Sequence, residues 1–380
     1  MMKSFLKILF PIVFLKKAFV LYNTIKRGTV DRIFFPPLKI KQEAFKTRKE
    51  MNPFLPLNIS LIDYSKEVIE GLRIWTDPGW TQDEYLLVFG ERGFIEPKFG
   101  WGMTLTKKLI VPSLGFSGAS YVQRPDLIKS YFQRKKIVNL KNIISLRDTG
   151  EENYFHFFND VISKLFLCKD QGIELHAFVI VISEKLYDKE YFKVVLENSW
   201  LKNLTWHVQH DEWIQFEKAV FCKPFTHTKK YFNEVVDIVR PVATHDQDRR
   251  IFLTRDPQSL RFIENLNEIQ PLLKRYNFEM IDPSKLQFRD QANLFSECRF
   301  LIGIHGAGLT NMIFRQGKPL GLLEIIHPFE YIPFHYLMLA KQFDFDYNLI
   351  SGRRGRKWGS GGFFLDSEGL ELAIKRLLHG

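Results

Sequence analysis

Between Arg250 and Phe343 the sequence alternates short apolar runs with amphipathic stretches, and this alternation restricts the possible folds more than any other feature. "RIFLTR" reads as a strand, "NLNEIQPLLKRY" as a helix, "FEMIDP" as a short strand and "FRDQANLFSECR" as a helix. "FLIGIHG" and "GLLEIIHP" follow as strands, with "AGLTNMIFRQ" as a helix between them and "YIPFHYLMLAKQF" as a helix after them. Repetition of this kind builds a parallel sheet with helices on its faces, so the expected fold class is α/β. Ligands of such sheets bind outside the carboxyl ends of the strands. The residues just past each apolar run are therefore the first candidates for function.

The first half is more mixed. "EYLLVFGERGF", "LTKKLIVPSL" and "KKIVNLKNIISLRD" read as strands, and "ENYFHFFNDVISKLFLC" has apolar residues at helical spacing. "AFVIVIS", "TWHVQ" and "KAVFCKPF" are three further strands; "KKYFNEVVDIV" is a helix, leading into the polar stretch "RPVATHDQDRR" as a linker. A chain of 380 residues has room for two domains of ordinary size. The expected division is a segment 1–28, a first lobe 29–240, a second lobe 241–350, and a closing part 351–380. That last part holds a basic loop, "GRRGRKWGSGG", and a helix, "LDSEGLELAIKRLL".

The N-terminus, "MMKSFLKILFPIVFLKKAFVLYNTIKRG", has its longest uncharged run from Ile8 to Leu15, broken by Pro11. A spanning helix needs about 20 apolar residues, and no small-residue cleavage site marks a signal peptide. Lysines mixed with Phe, Leu and Ile suit an interfacial segment against anionic lipid; a packed N-terminal helix would use the same residues. Net charge is +11, which suits an anionic partner of some kind. No zinc-finger, helix-turn-helix or RNA-binding signature accompanies it, so a nucleic-acid partner is not expected. The three cysteines, Cys168, Cys222 and Cys298, form no metal-like spacing and suit a reducing compartment. "NIS" at Asn58 and "NLT" at Asn203 are sequons of a kind that arises often by chance.

In "FLIGIHGAGLTNMIF" an apolar strand stops at His305, and Gly306, Ala307 and Gly308 open the next helix. Helix N-termini present unpaired amides and partial positive charge, so small residues there admit an anion to the backbone. Tight strand–helix packing would also call for them. The run is neither a Walker loop nor GxGxxG.

"GIHGAGLTNMIF", preceded by "FRDQANLFSECRFLI" and followed by "LLEIIHP", resembles the family 61 glycosyltransferases. So do "RRIFLTRDPQSLRFIEN" and "NYFHFFNDVISKL", and together these cover about Asn153 to the C-terminus in the family's order. That family includes bacterial capsular-polysaccharide enzymes and eukaryotic xylosyl- and N-acetylglucosaminyltransferases. The resemblance implies a GT-B-like fold of two Rossmann-like lobes with the donor site in the cleft. It also implies inverting transfer, without a bound metal or other cofactor, from a nucleotide sugar held by the second lobe, with UDP the expected nucleotide. A glycan acceptor in capsule or surface-polysaccharide assembly, at the cytoplasmic face of the cell membrane, follows from the same likeness.

On this likeness the donor-binding set is Arg255, Arg261, Asn265, His305, Gly306, Ala307, Gly308, Leu309, Asn311 and Glu324. Arg255, at the end of its strand, and Arg261 just beyond are suited to clamp a diphosphate. Glu324, ending a strand, is suited to ribose hydroxyls, and His305 to a place beside the diphosphate. His156 and Asp160, spaced i, i+4, share a helix face, and either can serve as the base. "DFD" at Asp344–Asp346 has the form of a metal-binding DxD but follows a helix instead of ending a strand. The competing expectation is a non-catalytic nucleotide-sugar-binding or polyanion-binding scaffold.

Overall fold

A computed structural model describes residues 31–38, 45–50, 81–118, 126–134, 136–242, 248–255, 261–327, 335–356 and 361–379. The N-terminal segment 1–28 and the sequon at Asn58 lie outside the described residues. No helix among them is long and apolar enough to cross a membrane.

The first half forms an eight-stranded mixed sheet. Its strands are β1 (Phe45–Glu50), β2 (Thr81–Phe89), β3 (Gly93–Ile95), β4 (Gly102–Thr104), β5 (Ile137–Ser145), β6 (Val179–Ser183), β7 (Thr205–Gln209) and β8 (Trp213–Lys223). β1, β2 and β8 pair antiparallel, whereas β8, β5, β6 and β7 run parallel in that spatial order. Ile143, Ile144, Ile180, Ile182 and Val220 are buried completely, as strands covered on both faces require.

The second half follows the alternation in its sequence. β9 (Arg249–Leu253), β11 (Glu279–Ile281), β12 (Cys298–Ile304), β13 (Gly321–Ile326) and β14 (Asp346–Ser351) form a five-stranded, wholly parallel sheet in the order β11-β9-β12-β13-β14. In chain order this is 2-1-3-4-5, so the winding reverses between β9 and β12. A doubly wound sheet opens a crevice at such a switch point, beyond the carboxyl ends of its strands.

Three segments depart from the sequence reading. "AGLTNMIFRQ" is a 3-10 helix, Ala307–Arg315, not an α-helix. "LTKKLIVPSL" contains no named strand: β4 ends at Thr104, just before it, and Val111–Gly118 is a 3-10 helix. The basic stretch after Ser351 is not all loop. Arg353–Arg354 (β15) and Gly362–Phe364 (β16) are strands that join β10 (Phe262–Ile263) in a small third sheet. Alternation caused the last miss: Phe363 is buried and Phe364 exposed, a strand pattern too short to show among the glycines. The closing helix, Ser367–His379, packs Leu370, Ala373, Ile374 and Leu377 into the same core as Leu323 and Ile325 of β13.

One apolar cluster runs from β5 and β8 through to β9, β12 and β13. Phe288, which is 2% exposed, is its hub. Its ring stacks on Phe158 at 5.9 Å and meets Tyr154, Tyr191 and Phe314 at 6.0, 6.4 and 5.9 Å. Three of those rings belong to the first half and one to the second. Phe288→Ala is therefore expected to lower stability by about 3–5 kcal/mol. Because the cluster is shared, denaturant unfolding should stay a single transition with a lower midpoint; two separated transitions in the wild type would contradict the shared core.

Candidate active site

The first group of site residues follows β5. Its carboxyl end runs into a loop held by buried charge. Arg147 binds Glu151 at 2.8 Å and the Pro97 and Lys98 carbonyls at 2.9 and 3.2 Å, and it also donates to Gln209. Lys164 holds Asp148 at 3.0 Å and the Leu146 and Arg147 carbonyls at 3.3 Å. Buried ions are tolerated only when paired and hydrogen-bonded in this way, and the satisfied network makes the loop rigid.

Asn153 then caps the helix, its side chain accepting from the Phe155 and His156 amides. The helix is not regular. Tyr154–His156 is α, Phe157–Val161 is a π turn with Ile162 N–H bonded to the Phe157 carbonyl at 2.9 Å, and Ser163–Asp170 is α again. π turns inside α-helices recur at functional sites. His156 Nδ1 and Asp160 Oδ2 lie 2.6 Å apart across this turn. Burial pulls the His156 pKa down, but the Asp160 hydrogen bond and the charges of Asp160, Asp148 and Glu152 outweigh it, so the net shift is upward. Asn159 Nδ2 donates to Asp160 Oδ1 at 2.6 Å.

The second group stands at the β9/β12 switch point. Gly306 has φ +152° and ψ 175°, a region open essentially to glycine alone. A Cβ there would lie 1.8 Å from an Arg255 terminal nitrogen, so the guanidinium lies directly on this backbone. Burial, and then the Arg261 charge beside it, pull the Arg255 pKa down to about 10, with Tyr336 and Asp282 opposing. Among the described residues Arg255 forms no ion pair. A half-buried cation next to a like charge is a place where an anion gains.

His305, just past β12, hydrogen-bonds through Nδ1 to Glu324 Oε1, and Tyr347 donates to Glu324 Oε2 at 2.7 Å. Ala307 and Gly308 continue the turn, and Gly308 has only ordinary contacts where a Cβ would be.

Four of the sequence candidates are placed otherwise than expected. Glu324 is fully buried, and its oxygens bind His305 and Tyr347 instead of lining a surface that ribose could reach. Asn265 spends its amide on the Leu365 backbone, at 2.9 and 3.0 Å, and on Glu268 at 3.2 Å. Asn311 accepts from Tyr154 at 2.6 Å and donates to Gly308 O and Gln291, so it braces the turn. Leu309 is fully buried and fills the space beside Gly303. Asp344 and Asp346 sit at the amino end of β14, across the sheet from Arg255 and His305; among the described residues no group of three or more His, Cys, Asp and Glu is arranged to hold a metal.

The two groups meet. His227, beyond β8, and His335, beyond β13, are hydrogen-bonded Nε2 to Nδ1 at 3.0 Å, so the carboxyl edges of the two sheets face each other. The His335 ring lies 6.5 Å from that of His305, and Phe155, next to His156, lies 4.9 Å from His335. Neither His227 nor His335 was singled out from sequence. His227 falls shortly after a strand and His335 inside a stretch read as helix, so neither position stands out.

Residues 154–319 match the family model described as Glycosyltransferase 61. The chain carries a family 61 glycosyltransferase domain. The match begins at the helix of His156 and ends beyond the turn of Gly306, and so takes in His156, Asp160, Arg255, Arg261 and His305, while Glu324 and His335 lie past its end. It makes the protein a glycosyltransferase, with a sugar donor and an acceptor as its substrates. A search of curated proteins finds no match to the chain.

The histidines of this glycosyltransferase carry opposite pH signs. Burial, then the neighbouring His305 and His156, hold His335 down at about 3, and burial with His335 and His156 lowers His227 as well. The unfolded chain then binds more protons than the native one, so this pair costs stability as pH falls from 6.5 towards 3. The raised His156 does the reverse: its contribution is complete below 6.5 and is lost as pH rises through its folded pKa. His335→Asn, which does not titrate, should flatten the loss of stability over the acid window, as read from urea midpoints at stepped pH. An unchanged acid slope would refute the assignment.

Proposed function

We propose that this glycosyltransferase is an inverting, metal-independent enzyme of the GT-B-like class. In this reading it moves a sugar from a UDP-linked donor to a glycan acceptor in capsule or other surface-polysaccharide assembly, at the cytoplasmic face of the membrane. The observation that carries the proposal is Arg255 lying on Gly306 at the switch point, with Arg261 beside it. A diphosphate leaving group develops charge as the glycosidic bond breaks, and fixed guanidinium groups stabilise that charge without a metal ion. The facing sheet supports the other half of the reaction. Asp160 holds His156 by Nδ1, so His156 Nε2 is the atom suited to take the acceptor proton. With base and leaving group supplied from facing sheet edges, the acceptor oxygen approaches the anomeric carbon opposite the departing nucleotide, and the configuration inverts. A mere binding protein would have no use for a base on the opposite edge.

Arg255→Ala should weaken UDP binding by about 2–5 kcal/mol, the cost of removing one partner of a desolvated ion pair. The melting temperature of the free protein should barely change. Calorimetry that finds unaltered UDP affinity would remove the clamp from the proposal.

Turnover tests the rest. His156→Ala and Asp160→Asn should each slow transfer by about 10²–10⁴-fold while UDP affinity holds, and the double variant should be scarcely slower than the worse single one. Transfer should persist in excess EDTA and in Asp344→Asn/Asp346→Asn. An absolute manganese requirement lost in that double variant would favour the DxD.

A further inference from the structure

A polar path joins the two halves of the site through residues that the proposed chemistry leaves unused. Asn159, within the π turn, accepts the His227 backbone N–H on Oδ1 at 2.6 Å and donates Nδ2 to Asp160 Oδ1 at 2.6 Å. A primary amide so placed has one orientation, oxygen towards the N–H and nitrogen towards the carboxylate. Asn159 is buried, and its backbone carbonyl is held by Ser163 Oγ at 3.0 Å. The His227 N–H is itself fixed. His227 has φ +56°, an uncommon conformation for a side-chain-bearing residue, and both its ring nitrogens are engaged. Nδ1 meets Thr226 Oγ1 at 3.0 Å and Nε2 meets His335 Nδ1 at 3.0 Å, the two imidazoles lying nearly parallel at 18°. His335 starts the helix His335–Gln342 on the second sheet's side, stacked on His305. The path therefore runs His156, Asp160, Asn159, His227, His335, and ends against the residue that opens the Gly306 turn.

We propose that His227 and His335 are positioning residues for the transfer step: across the junction of the two sheets they fix Asn159, Asn159 fixes Asp160, and Asp160 holds His156 as its Nδ1–H tautomer with Nε2 facing the acceptor. The inference rests on the reading of His156 as the base. Each link has a physical reason. Asp160 has two oxygens, and the Asn159 amide engages Oδ1, which leaves Oδ2 for His156. Which imidazole nitrogen carries the proton is set by the hydrogen bond made by the other. Loosening Asn159 therefore allows Asp160 to turn and His156 to take the wrong tautomer without any change in the residues that touch substrate. Because His335 belongs to the edge that bears His305, alignment of the base depends on the two sheet edges being in register.

The test is imidazole 15N NMR on the full chain labelled in histidine, with pH titration and UDP as the only added ligand. In the wild type His156 should be in the Nδ1–H form and titrate above 6.5, the ordinary histidine value. In His335→Ala and His227→Ala its signals should move to a mixture of tautomers and its titration should fall back towards that value. His335→Asn, which keeps a hydrogen-bonding atom near the place of Nδ1, should restore the wild-type signature. UDP affinity by calorimetry should stay within about twofold throughout. If an alanine variant does not fold, His335→Leu keeps the volume without the hydrogen bond and should give the same tautomer mixture. An unshifted His156 in the alanine or leucine variants overturns the positioning role while leaving the base standing. Full turnover by His156→Ala overturns the base instead, and the purpose of the pair with it.

Discussion

A guanidinium half-buried beside another guanidinium is an unfavourable arrangement, and at the second sheet's carboxyl edge Arg255 is held in it. Desolvation and the Arg261 charge both act against the charged form, and among the described residues Tyr336 and Asp282 act for it. The chain accepts this at the point where its winding reverses. There Gly306 adopts a conformation closed to other residues, and the missing Cβ is the volume that Arg255 occupies. The glycine, read from sequence as making room for a ligand, first makes room for the protein's own cation. Among the described residues this cation has no ion-pair partner, and an anion bound there would offset the repulsion between the two guanidinium groups.

The same reasoning identifies the contacts that hold the His305–Asn311 turn. His305 is held by Glu324, and Glu324 by Tyr347. Asn311 takes the Tyr154 hydroxyl from the facing half, which ties the turn to the helix of His156. Leu309 packs beside Gly303. A polar residue that braces a turn and one that binds a nucleotide use the same side chains, so residue type could not divide them; burial and partners do.

How far the sequence could be read follows from the range of the interactions involved. Four of the five parallel strands of the second half were legible, β12 and β13 most plainly because burial on both faces writes continuous apolar runs; β14, just past "DFD", was not read as a strand. The helix Lys229–Val239 was legible to the residue because its apolar positions keep a 3.6 period. The i, i+4 spacing of His156 and Asp160 was legible for the same reason, since the pair meets even across a π turn. That turn itself was not, because a single extra backbone residue leaves the apolar pattern of "FFNDVISKL" almost unchanged. β15 and β16 were hidden among glycines and arginines, and their pairing with β10 is long-range. His227 and His335 are 108 positions apart, and nothing local announces that the ends of β8 and β13 face one another.

The His227–His335 contact also bears on how the two halves relate as a machine. The apolar cluster that runs from one sheet to the other is broad and non-directional, so it resists separation of the halves but does not fix their angle. Directional contacts must do that. Among the described residues those at the site edge include Tyr154 to Asn311 and His227 to His335. Both reach the helix of His156 within a residue or two, the first directly and the second through Asn159. A rotation of one sheet edge against the other would pull on the helix of His156 at both contacts and, through Asn311, on the turn that opens at Gly306. In the proposed reaction, register of the two edges therefore bears on the base and the clamp together.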